Sequence, residues 1–294
     1  MDNLNDYLQY HTESSIAKDI DPANDALRYI SNRFELNLQQ RYWLSWIYAM
    51  TYSPITTYYI YNEFPDYENV DVDRLQKWWD TNKDNLIFTT DRLRIKSNNQ
   101  FIKAFESYRS IVGKSQSAYF RSLVQPTRDL TYEFIMKETS KFYTFGRFTQ
   151  FIYLEMLSVL TYLPLEPNTL NLSEAESCRN GLVYAYGLDE YDTHGKDIKL
   201  TRPQLNHLQQ LFRQLKGIIQ TLPIQHRNIF NIETTLCAYK KYKLGKRYVG
   251  YYIERNRLEL EKMSSTITDG INWKPLWDFR KETYDKKWLK ELSQ

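Results

Sequence analysis

The sequence predicts a mainly α fold, a single globular helical domain of about ten helices with little or no β structure. Three observations carry that expectation. Helix-starting chemistry recurs, as a Ser, Thr, Asp or Asn followed three residues later by Gln or Glu. Apolar residues return at spacings of three and four, which lines one face of a helix instead of alternating across a strand. Neither an internal repeat nor a low-complexity linker divides the 294 residues.

The elements follow in order. The first 35 residues read as an accessory helical segment. In NLQQRYWLSWIYAM, Asn37 caps and Gln40 reaches back, while Leu38, Tyr42, Trp46 and Met50 recur at helical spacing, so a buried helix is expected. SPITTYYIYNEF has Ser53 as cap and Pro54 at the first helical position, where a missing N–H costs nothing. Its β-branched and aromatic content leaves a strand open, and the helix is preferred.

DVDRLQKWWD reads as a helix capped by Asp71, and NNQFIKAFESYRSIVG as one closed by Gly113. Between them, NLIFTTDRLRIKSNN fits a small hairpin or an extended loop. Leu130 to Leu163 reads as two helices bent near Phe145, Gly146 and Arg147, with Pro164 and Pro167 ending the second. Capping boxes at Ser173 with Glu176 and at Thr201 with Gln204 open two more, and the latter puts Leu205, Leu208, Phe212, Leu215 and Ile219 on one face. The helical domain that holds the chemistry is placed at 36–262, and 263–294 is a basic and aromatic tail that packs back or stays mobile.

Lys and Arg number 39 against 36 Asp and Glu, so any contact with nucleic acid must come from a local patch instead of a global field. Such a patch exists in CAYKKYKLGKRYVGYYIER, Cys237 to Arg255, with six basic side chains, one acidic one and five tyrosines. The chain has 25 Tyr, a richness that AT-rich codons account for about as well as function does. Cys178 and Cys237 lie far apart without a CxxC, which predicts free thiols in a reducing compartment. With no leader-like start and no long apolar run, a soluble intracellular protein is expected.

GxGxxG after a strand, GxxxxGK[ST], GxSxG and HExxH are all missing, which argues against dinucleotide enzymes, P-loop kinases, α/β-hydrolases and zincins. His11, His194, His207 and His226 have no ligand spacing, so no metal site is expected. What remains is a set of polar residues among aromatic or apolar neighbours: Asn62, Glu63 and Asp66; Thr90, Asp91 and Arg94; Glu106, Tyr108 and Arg109; Arg147; Arg179 and Asn180; and Glu233, Lys240, Lys241 and Arg247. For each one, a solvated face or an ion pair is the commoner use, since a buried unpaired charge costs several kcal/mol. The case for a site rests on the set.

The pieces NEFPD, ESYR, FGR, RNGL and ETTLCAYKK, in this order and spacing from roughly Leu36 to Leu260, resemble a phage family. It is the amino acid:DNA transferase family, also called alpha-glutamyl/putrescinyl thymine pyrophosphorylase, clade 2. The resemblance implies thymine hypermodification, in the cytoplasm of an infected bacterium. Pyrophosphate on 5-pyrophosphoryloxymethyluracil in double-stranded phage DNA would be displaced by the amine of a free amino acid or polyamine. It also implies distant kinship with helix-hairpin-helix DNA glycosylases, although no LPGVG-type hairpin occurs here.

Set against that chemistry, the residues take roles. The amine needs a general base, for which Glu63, Asp91 and Glu233 are the ordered candidates. Departing pyrophosphate gathers negative charge, which Arg147, Arg179 and Lys240 would stabilise, with no cofactor required and Mg²⁺ compatible with the pyrophosphate. Asn62, Tyr108, Arg109 and Asn180 are candidates for substrate binding. Trp43, Trp46 and Tyr108 would offer stacking faces for a flipped base, although their spacing favours core packing. Lys241, Lys243, Lys246 and Arg247, around a turn at 243–246 with a second helix expected from Arg247, would meet DNA phosphates. The alternative is a helical glycosylase-like hydrolase or a non-catalytic DNA-binding protein.

Overall fold

The computed structural model describes residues 3–89, 92–97, 99–193 and 199–289. Among these there are fifteen α-helices and no strand, in keeping with the all-helical expectation. They run in chain order as α1 Asn3–Ile16, α2 Pro22–Arg33, α3 Leu38–Thr51, α4 Pro54–Glu63, α5 Val72–Asn82, α6 Leu93–Lys96, α7 Gln100–Val112 and α8 Gln116–Ser122. The rest are α9 Arg128–Thr139, α10 Arg147–Leu160, α11 Glu176–Tyr186, α12 Arg202–Thr221, α13 Ile229–Lys243, α14 Tyr251–Thr266 and α15 Lys274–Thr283. Fifteen exceeds the expected ten because α6 and α8 span only four and seven residues, too short for a periodicity to show. The first 35 residues also hold two helices.

Local chemistry set many of the boundaries. Asn37 and Gln40 form the reciprocal capping box that opens α3, and Thr201 with Gln204 does the same for α12. Ser53 and Asp71 cap α4 and α5, and Gly113 closes α7 at φ +72°. Ser173 does not cap. Its hydroxyl donates to Asn171 Oδ1 at 2.6 Å, and α11 starts after Ala175 without a side-chain cap. In NLIFTTDRLRIKSNN no hairpin forms among the described residues; Leu86 and Phe88 are buried instead, with the Phe88 ring 6.0 Å from that of Trp79.

The helices gather into two compact units. One comprises residues 1–22 and 167–254, apart from the last residue of the chain. Its core is built on α1, α11, α12 and α13, with Tyr7, Tyr10, Leu182, Phe212, Leu236 and Tyr239 among its buried residues. The other comprises 23–166 and 255–293. At its centre α3 packs against α10, and each buries ten of its fourteen residues, which explains why neither shows a polar face. Trp43 and Trp46 stack at 5.1 Å there, and Trp79 stacks on Phe101 at 4.3 Å, so the tryptophans belong to the core.

Candidate active site on the α11 and α13 helix pair

Two of the polar motifs meet where α11 and α13 pack in the first unit. The sequence permits the approach through Gly181, because a Cβ there would overlap the Leu236 carbonyl. SCRNGL thereby lies beside ETTLCAYKK. On α13, Glu233, Cys237 and Lys240 recur at i, i+4 and i+7 and so share one stripe. Glu233 is 9 % exposed and Lys240 6 %.

Three side chains converge within that pair. One ligand atom each from Cys178, Glu233 and Cys237 lie within 4.8 Å of one another. The Cys237 thiol donates to Glu233 Oε1 at 3.4 Å. The Cys178 thiol beside it, together with burial, pushes the Cys237 thiol well above its ordinary value. Both cysteines are free, as expected, but the distance between them in sequence concealed their adjacency.

Arg179 spends its guanidinium on the chain itself. Nη1 donates to the Leu172 and Ser173 carbonyls at 2.8 and 3.1 Å, and Nη2 to Thr193 Oγ1 at 2.9 Å. Thr193 in turn donates its N–H and hydroxyl to Asn180 Oδ1 at 3.4 and 3.2 Å. Two buried donors are left over, Arg179 Nε and Asn180 Nδ2, neither with a hydrogen-bond partner. Lys240 forms no ion pair among the described residues, although its ammonium is not one of these buried donors. Unmatched buried donors cost about 1–3 kcal/mol each, and they suit an incoming anionic oxygen.

Beyond Lys240 the chain turns outward. Lys241, Lys243 and Lys246 are exposed around Gly245, with Lys243 Nζ 3.8 Å from Asp6. The second helix begins at Tyr251, so Arg247 and Tyr248 sit in the connecting loop instead of opening it. Arg247 is half-buried; its guanidinium lies over the Tyr251 and Tyr252 rings at 4.9 and 4.5 Å and donates to the Tyr252 hydroxyl.

The remaining candidates belong to the second unit. Glu63 ends α4, pairs with Arg74 and lines an open groove of about 680 Å³ with Asp71, Asp73, Lys77 and Trp78. Asn62 is exposed and donates to the Tyr58 carbonyl at 2.7 Å. Tyr108 is fully buried; its hydroxyl donates to Gln116 Oε1 at 2.8 Å and meets Tyr153 at 3.0 Å, so no ring face is open to a base. Arg109 donates to the Val70 carbonyl at 2.7 Å and lies over Phe105. Arg147 is half-buried at the first position of α10, after Gly146. Asp91, Thr90 and His194 lie outside the described residues.

Two buried groups in the first unit had no local signal in the sequence. Asp19, 2 % exposed, accepts the backbone N–H groups of Gly250, Tyr252 and Ile253 at 2.7, 2.9 and 3.0 Å and so caps α14 from across the chain. Burial raises it to about 6 against those bonds. His11 contacts Thr235 Oγ1 through Nδ1 at 2.8 Å and the His226 carbonyl through Nε2 at 2.9 Å; since a carbonyl only accepts, Nε2 carries the proton. Among the described residues no helix is long and apolar enough to cross a membrane.

The family model described as amino acid:DNA transferase matches residues 16–248, more than half of the chain. No curated protein matches it.

Proposed function

The chain belongs to the amino acid:DNA transferase family, and on that premise we propose that it joins the amine of an amino acid or polyamine to a thymine-derived base in phage DNA, with pyrophosphate as the leaving group. The nitrogen lone pair forms a bond to the exocyclic methylene as its carbon–oxygen bond breaks. Pyrophosphate departs with that electron pair, and the extra proton on nitrogen passes to a carboxylate. The reaction would take place in the cytoplasm of the infected cell.

The observation that supports this reading is Lys240. Its side chain is 6 % exposed, it forms no ion pair among the described residues, and it shares a helix stripe with the Glu233 carboxylate. Pyrophosphate would supply the anion that this cation meets, and Mg²⁺ would travel with it. The unmatched donors of Arg179 and Asn180 suit phosphoryl oxygens as well. Lys241, Lys243 and Lys246, exposed where α13 ends, suit the backbone phosphates of a duplex, which position a protein without reading sequence.

The test uses DNA carrying 5-pyrophosphoryloxymethyluracil, incubated with the protein and a panel of amines and then digested to nucleosides for mass spectrometry. An amine adduct with matching pyrophosphate release is expected. Neither product above the blank would sink the proposal, and abasic sites in their place would point to a glycosylase.

A further inference from the structure

Cys178, Glu233 and Cys237 form the one cluster in the described residues that brings three soft or anionic ligands together. We propose that they hold a divalent cation of the zinc or cobalt class, with a fourth position open. The inference rests on this cluster alone and does not depend on the transferase chemistry.

The geometry fits before any cation arrives. Tetrahedral zinc with sulfur at about 2.3 Å and carboxylate oxygen at about 2.0 Å sets its ligand atoms roughly 3.5–3.8 Å apart. The three atoms here lie within 4.8 Å, and the Cys237 sulfur is already 3.4 Å from Glu233 Oε1. Glu233 and Cys237, four residues apart, project from one face of α13, and Cys178 reaches across from α11. The gap between the helices is fixed one turn away by the contact of Gly181 with Leu236.

Chemistry selects the class of metal. Two thiolates favour zinc or cobalt over magnesium or calcium, which prefer all-oxygen sites. Binding replaces the two thiol protons, which go to solvent, by one dication. With the carboxylate the centre carries a net charge of −1, which the positive charge of Lys240, three residues past Cys237 on the same helix, would offset. Three protein ligands and an open position are the arrangement of a catalytic centre, not a closed structural one.

The test uses the full-length protein, reduced and stripped with a chelator, then titrated with Co²⁺ alone and afterwards with Zn²⁺. One equivalent of cobalt should bind with thiolate-to-metal charge-transfer absorption and about two protons released per chain, and zinc should bleach the band. Cys237→Ser, at a half-buried position, and Glu233→Gln should each weaken cobalt binding by about 100-fold or more while keeping the wild-type circular dichroism. Cobalt taken up without the thiolate band, equal affinity in folded Cys237→Ser, or no uptake by protein whose two thiols react as free would each overturn the assignment.

Discussion

Gly181 of α11 meets the backbone of Leu236 in α13 with no room for a methyl group between them. That contact sets the spacing of every polar group the two helices share. Gly181→Ala must push α11 away from α13, and the overpacking should cost about 1–3 kcal/mol. Urea denaturation would measure it. A variant as stable as the wild type would mean that the helices separate freely.

His11 is buried and neutral, lowered to about 4 from an ordinary 6.5 chiefly by burial. The unfolded chain therefore takes up this proton first as pH falls, so the contribution is complete above pH 6.5 and is lost on the way down to pH 4. The loss is on the order of 3 kcal/mol. Asp19 works in the opposite sense, since a carboxyl raised to about 6 stabilises the fold in acid and loses that contribution as pH rises through 6. Subtracting the stability profile of His11→Asn from that of the wild type isolates the histidine. A difference that stays flat between pH 4 and 7 would refute it.

Lys240 and Arg179 should separate on substitution. Lys240→Met keeps the packing of the largely buried side chain and should leave stability within about 1 kcal/mol of the wild type, while turnover falls at least about 100-fold if the ammonium meets developing charge. Arg179→Lys replaces a fork that holds three acceptors by a single point donor, so it should cost about 2 kcal/mol of stability. Paired melting curves and single-turnover rates distinguish the two. An active Lys240→Met protein would remove that residue from the site.

Lys243 and Lys246 are exposed around the turn that follows α13. Replacing both with Gln should weaken DNA binding at every sequence and reduce the slope of log K against log salt by about 2. Fluorescence anisotropy across a salt series gives the slope. Part of the effect of Lys243 is already offset by Asp6, 3.8 Å away, so Lys246 should account for the larger share.

The helices were legible because their signals are local. Asn37 with Gln40, Ser53 with Pro54 and Thr201 with Gln204 act within one turn, and the burial of Trp43 and Trp46 follows from their spacing. Ser173 misled because the same residue pattern also permits a bond to Asn171, two residues back. Long-range pairings left no trace: Cys178 beside Cys237, Arg179 beside Thr193 and Asp19 beneath Gly250 each depend on how distant helices meet. Tyr108 sits between these cases, since an aromatic at helical spacing serves a core or a stacking platform equally well until Gln116 and Tyr153 are seen to take its hydroxyl.

The Asp19 cap has a consequence for the order of events on the ribosome. Its partners Gly250, Tyr252 and Ile253 emerge more than two hundred residues later, which at 5–20 residues per second is a wait of roughly ten to fifty seconds. During that interval residues 23–166, most of the second unit, are already made, whereas residues 1–22 have yet to receive α11 and α13. Residues 1–22 thus wait for the segment that completes their unit, and a pause before α11 and α13 would leave Tyr7 and Tyr10 of α1 to the chaperones.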